Sequence, residues 1–574
     1  MTFVLPVLLF PLVALGLGWP LAGRLALDPA EKLGAAVVLS LLGAYLLAFA
    51  TYLLGLPPAA LWALPLLGAG GLLTGRRALA ALLADRAARA LLTGLALVTV
   101  WCLGWLATIV SYSGGGWTSD WFEHWERLRF FLERWPVDTK FLGFGALPAR
   151  PPLANLVTGA LLAPGGATFA GYQLATTLLS CLAFLPAALL AGRFQRRGAG
   201  PEPAGPPALL SASAVLTVLL MLNPSFVQNA TFAWTKLIAV FFILSGLYFF
   251  LRSQDPAAPP AAAPLCAVSL AAGLLAHYAA GPYVLLLAGA WCAAGWRGGA
   301  GRAWGRQTAR LGLLGGLVLA TWFGWSLAVY GAAATLGSNS SVAEAAPGQP
   351  LAKIALNLRD TLVPHFLRPL DGALIAQRSP WGYARDWCFQ LYQLNLPLML
   401  GSLAWLVLAR ELVRAGRSAP AARRRFWLAF VGGGVVLGVA VHGARDHWGL
   451  SHICLQTLVV LGLAFLAARW PVLSRGARRV LVAGAVVDAG LGLALHFAVQ
   501  SYALDRWLAP GQPPGELLRS YSDSAFMNLA GKLFHHLRFL ADMGPHAGAL
   551  ALALLAVMLP LALRQAACAT RPSD

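Results

Sequence analysis

Residues 111–153 read SYSGGGWTSD, then WFEHWERLRFFLERW, then PVDTKFLGFGALPAR and PPL. From Trp121 to Trp135 the apolar residues Trp121, Phe122, Trp125, Leu128, Phe131, Leu132 and Trp135 recur at three- and four-residue spacing. Glu123, Glu126, Arg127, Glu133 and Arg134 fall between them. The spacing predicts an amphipathic helix lying in an interface plane, its tryptophans suited to the headgroup layer and Asp120 held just above the hydrocarbon boundary. Such a helix needs a membrane, and the chain on either side supplies one.

Of the 574 residues 59% are apolar and 11% charged, against about 25% charged in a soluble domain, so a water-soluble globular protein is excluded. The apolar content excludes a disordered chain, and seven scattered cysteines do not make a secreted disulfide framework. Apolar stretches of spanning length fall near 2–18, 34–54, 57–74, 90–112, 167–190, 208–222, 234–252, 260–280, 281–297, 309–331, 395–410, 426–442, 451–468, 479–499 and 546–564. The expected fold is all-α and polytopic, with about 15 spans. The first stretch lacks a basic n-region and a small-residue cleavage site, which predicts a retained span.

Basic clusters fall in alternate loops. One set, with the C-terminus, carries 26 Lys and Arg against 7 acids; the other carries 16 against 14. The positive-inside rule then predicts an integral protein of the cytoplasmic (inner) membrane, N-terminus outside and C-terminus inside. It also turns most of the +20 net charge into a topology signal, so nucleic acid is not an expected partner. Residues 151–163 are apolar but would invert the charge pattern as a crossing, which predicts a re-entrant or juxtamembrane helix lying against protein. The expected organisation is an N-terminal extension (1–89), a core (90–331) with the outer loop 113–150, a large outer loop (332–394), and a C-terminal region (395–574) with the outer loop 500–545.

All ten histidines and 14 of the 22 acids fall on the expected outer side. At the boundary a carboxylate can meet an acceptor from water and a phosphate-bearing lipid from the bilayer, so Asp120 is the candidate general base, with Glu123 the candidate assistant or second ligand. The plainer alternative is that Asp120 caps its helix, with Glu123 as its capping-box partner. A lipid phosphate needs cations there, and Lys140, Arg150 and Lys236 are candidates, with His277 and His447 as further contacts. Snorkelling to the interface is the alternative for each cation. Asp488 stands alone inside a span, where it marks either a polar cavity or a Ser or backbone partner.

An acid shortly after a membrane exit, an aromatic amphipathic helix, and Arg150-Pro151-Pro152-Leu153 opening an apolar helix together resemble the GT-C superfamily of membrane glycosyltransferases. The pattern is most similar to the branch of the protein O-mannosyltransferases and the lipid A aminoarabinose transferase, over roughly residues 90–300. The resemblance implies an all-helical fold, a polyprenyl-phosphate sugar donor, and Asp120 as the catalytic or metal-associated acid. Those relatives carry two adjacent acids, whereas Trp121 follows Asp120 here and the next acid is Glu123. A Mg²⁺ or Mn²⁺ cofactor would therefore have only a partial ligand set. The expected function is transfer of a sugar from a lipid-linked donor to a glycan, lipid or protein acceptor; the rival is a transporter or flippase for a lipid-linked precursor.

Overall fold

The computed structural model describes residues 4–109, 112, 120–143, 145–198, 207–297, 301–339, 350–364, 367, 387–442, 445, 449–499, 537–543 and 546–570. These residues are overwhelmingly helical, and the one β-type pairing among them is an isolated bridge, Phe141 to Gly145. The protein is an all-α polytopic membrane protein. Among the described residues nine helices are long and apolar enough to cross a bilayer, or eleven if two sharply bent pairs each count as one span. Several of the remaining expected spans are shorter, such as Ala262–Ala276, or broken, such as Leu396–Leu400 and Ala404–Ser418, parted at Gly401 (φ 119°).

Local chemistry starts the helices. Pro29–Leu53 opens on a capping box, with Glu31 accepting the Asp28 N–H at 3.1 Å and Pro29 presetting the first turn. Arg86–Leu106 opens on Asp85, whose Oδ1 accepts the Ala88 N–H at 2.8 Å. Phe169–Gln195 and Lys236–Ser253 run through the middle, with 100% and 89% of their apolar windows buried. Arg302–Gly337 and Gly548–Ala569, at 17% each, turn their side chains outward. Against lipid tails an exposed leucine costs nothing, so the outer helices need no polar face.

Lys236–Ser253 has 18 residues, about 27 Å at 1.5 Å each. Its last turn reaches one end of the bundle, where Arg252 pairs with Glu31 at 2.8 Å and Arg193 grips Asp255 at 2.6 Å. Its first turn reaches the other end, beside residues 120–150 and 277. Charged residues of different loops thus gather at opposite ends of the bundle, and the 120–150 end is the one that the loop charges lead us to expect outside.

At that end Leu153–Leu162 is buried along all ten residues, so the expected helix over 151–163 does lie within protein. Asp488 has a structural partner. It accepts the Ser402 N–H at 3.0 Å, the Tyr392 hydroxyl at 3.0 Å and the Ser402 hydroxyl, closing the break at Gly401. A Cβ at Gly401 would stand 2.8 Å from Asp488 Oδ2, so the break and the buried acid specify each other.

Candidate active site

The outer helix forms over Asp120–Glu133, as its periodicity predicts, and ends where Arg134 takes a left-handed φ of 55° and the Trp135 N–H reaches back to Phe130 O at 3.2 Å. Its apolar stripe meets protein. Trp121 is 1% exposed and Trp125 5%, their rings against Phe169 and Tyr172, with Tyr112 and Phe539 also on Trp121. The expectation that these two rings rest in headgroups is therefore corrected. Phe169 and Tyr172, on the first turn of Phe169–Gln195, cover the two rings instead.

Along the same helix Asp120, Glu123, His124 and Arg127 fall three, four and seven residues apart, a second stripe on one side. Arg127 is fully buried. It gives Nε and Nη2 to Glu123 Oε1 at 3.0 and 2.7 Å, Nη1 to Leu147 O at 2.6 Å and Nη2 to Ala146 O at 2.9 Å, and lies 4.4 Å over the Phe141 ring. Glu126 accepts the Leu142 N–H at 2.9 Å. These bonds fold the loop after the helix back over it and deliver Arg150, whose Nε and Nη2 lie 3.4 Å from Glu123 Oε2.

The third component comes from a turn 114 residues away. Ala233 holds a left-handed φ of 60°, with its carbonyl fixed by the Tyr172 hydroxyl at 3.1 Å, and a residue other than glycine keeps such a conformation only where its surroundings enforce it. The turn presents Trp234, whose Nε1–H donates to Asp120 Oδ2 at 3.2 Å. Lys236 follows at the start of its helix, 7% exposed, with its ammonium 3.4 Å from the centre of the Trp234 ring. His277, 6% exposed, accepts the Ala279 N–H at 3.0 Å through Nδ1, and Tyr278 donates to Pro148 O at 2.9 Å.

Among the described residues the Trp234 bond is the single hydrogen bond to the Asp120 carboxylate, and Lys236 has no hydrogen-bond acceptor. Asp120 is thus not tied up as a capping group, and Glu123 turns to the arginines instead of back to the helix start. Burial raises the Asp120 carboxyl above the usual aspartate range, against the opposing pull of Arg150 and Lys236. Burial pushes Glu123 the same way, but Arg150 and Arg127 outweigh it and hold that carboxyl well below the usual range. Burial lowers His124 to about 3, and lowers His277 well below the ordinary histidine value with Arg150 and Lys236 adding to the effect. Arg127, Arg150 and Lys236 thus stand around the two carboxyl groups of Asp120 and Glu123.

The sequence of this chain matches no protein-family profile and no curated protein. Its fold is similar to that of ArnT. The solved structure of ArnT from Cupriavidus metallidurans bound to undecaprenyl phosphate is 16% identical and matches 82% of this chain and 77% of its own, with a TM-score of 0.44. The apo structure of ArnT from the same organism is 15% identical over 81% and 75%, with a TM-score of 0.42.

Of the residues expected from sequence, Asp120, Glu123, Arg150, Lys236 and His277 come together. Lys140 is exposed, and its ammonium makes no hydrogen bond or ion pair among the described residues. His447 lies outside the described residues. The Asp120–Glu123 pair does not fit a divalent cation, since both Glu123 oxygens face guanidinium groups, and among the described residues no three His, Cys, Asp or Glu gather as a metal site. Sequence reasoning missed His124, Arg127 and Trp234. The four- and seven-residue spacing from Asp120 signals the first two; nothing local signals Trp234.

Proposed function

We propose that the protein is a membrane glycosyltransferase that moves a sugar from a polyprenyl-phosphate donor to an acceptor on the outer face. The observation that carries this reading is the convergence of a carboxylate open to a new partner, Asp120, with the partly buried Arg150 and the buried Lys236, around Trp234. Asp120 accepts the proton of the acceptor hydroxyl as its oxygen bonds to the anomeric carbon. The bond from that carbon to the donor phosphate breaks, and polyprenyl phosphate leaves with the bonding pair, its new charge held by Arg150 and Lys236. A carboxyl raised by burial is the stronger base, and the basic side chains beside it suit an anionic substrate. Glu123 and Arg127 position Arg150. A single displacement inverts the anomeric configuration.

The test is turnover in proteoliposomes with a panel of labelled polyprenyl-phosphate sugars. Asp120→Asn keeps an acceptor for Trp234 and so should fold and insert normally while losing transfer. Turnover retained in that variant refutes the assignment of the base. Lipid translocation without product, in the unaltered protein, replaces the enzyme with a flippase.

A further inference from the structure

The end of the bundle far from Asp120 carries charge that sugar transfer does not use. Three acids there are already matched. Glu31 pairs with Arg252, Asp255 with Arg193, and the fully buried Glu411 with Arg469 and Arg414 at 3.2 Å each. Phe194, next to Arg193, meets Phe465 at 5.8 Å and Trp427 at 5.5 Å, which brings the last turn of Gln456–Arg469 and the first turns of Ala421–Ala440 to one corner.

The helix Ala404–Ser418 closes that corner and has three faces. Val407, Leu408 and Glu411 are buried against the protein, and the Glu411–Arg469 pair pins the helix in place. Trp405 and Leu412, and Leu406 and Val413, recur at seven-residue spacing on the exposed side, Leu412 at 44% and Val413 at 56%. Arg410, Arg414 and Arg417, four and three residues apart, form an exposed basic stripe between those two faces, and Arg423, Arg424 and Arg425 stand exposed at the start of the next helix. Among the described residues Arg410, Arg417, Arg423, Arg424 and Arg425 have no acidic partner.

We propose that this corner binds an anionic phospholipid, its phosphate on Arg410 and Arg417 and its chains along Trp405, Leu406, Leu412 and Val413. The stripe calls for an anion by charge complementarity. The apolar side chains beside it call for an anion attached to hydrocarbon, since an acidic peptide docking from water would leave Leu412 and Val413 bare. The site is independent of Asp120 and of the reading of its chemistry.

The full-length protein, purified in detergent, is exchanged with phosphatidylglycerol or phosphatidylcholine of matched chains and weighed intact by native mass spectrometry. Each arginine beside a headgroup favours the anionic lipid about fivefold, so Arg410→Gln/Arg417→Gln should cut the preference for phosphatidylglycerol about 25-fold. That variant leaves the buried face and the Glu411 pairs intact, and its melting temperature should not fall. Arg302→Gln/Arg306→Gln, which removes two exposed arginines from another helix, should keep the preference. A phosphatidylglycerol with a photoactivatable acyl chain should label the segment 405–413. Equal retention of the two lipids by the unaltered protein, an equal loss in both double variants, or no label on that segment overturns the proposal. Binding of a soluble poly-glutamate peptide that depends on Arg410 and Arg417, with no lipid preference, overturns it in favour of an acidic protein partner. If Arg410→Gln/Arg417→Gln fails to fold, labelling of the unaltered protein decides the matter alone.

Discussion

Replacing Lys236 with Met separates fold from function at the cluster. The ammonium is 7% exposed, sits 3.4 Å over the Trp234 ring and has no carboxylate within ion-pair distance among the described residues. Met keeps the length of the side chain and its contact with the ring. The fold loses a cation–π contact of about 0.5–2 kcal/mol. It is also relieved of a buried charge with no counter-ion, and the two changes oppose each other, so stability should move by no more than about 1 kcal/mol. Phosphate binding has no such compensation. One hydrogen bond to a charged group contributes about 1.5–3 kcal/mol, which makes undecaprenyl phosphate bind about 10- to 150-fold more weakly. The assay is titration of that lipid into protein in nanodiscs, read by tryptophan fluorescence, for which Trp234 is an internal reporter, with thermal unfolding in parallel. Lys140→Met, on an exposed side chain apart from the cluster, is the control. If Lys236→Met binds within about twofold of the unaltered protein, or if Lys140→Met loses as much, the phosphate does not sit where the reasoning puts it.

Arg127→Met should destabilise the protein by about 3–5 kcal/mol, because it strands Glu123 and unpins the carbonyls of Ala146 and Leu147; chemical denaturation of the outer loop, read by limited proteolysis, measures this. The Glu123 carboxyl is held low, so its contribution to stability is complete above the ordinary glutamate value and fades as pH falls below it; melting temperature against pH should drop on the acid side, and drop less in Glu123→Gln. The acid limb of kcat/KM should lie above the usual aspartate range, because the base must be ionised and burial raises it. Removing Lys236 takes away a charge that lowers it, so the same limb should move to higher pH in Lys236→Met.

Composition alone determined that this chain is a helical membrane protein, since 11% charged residues cannot cover a soluble domain. The spacing from Trp121 to Trp135 determined the helix over Asp120–Glu133, because periodicity is a local property of the sequence. The same spacing misplaced the tryptophans: an apolar stripe says that a face is buried, and only the neighbouring helices decide whether protein or lipid buries it. Asp488 could be read as a lone buried acid, but its partners Ser402 and Tyr392 become neighbours only through folding. The site divides along the same line. Asp120, Glu123 and Arg127 share one helix and were within reach of a periodicity argument. Arg150 arrives through the loop that Arg127 folds back, and Trp234 and Lys236 through a strained turn 114 residues on. The sequence named the acid and some of its cations; tertiary packing chose which of them share a site, taking Lys236 and leaving Lys140, because a charge is drawn out of water only where other chain segments close around it.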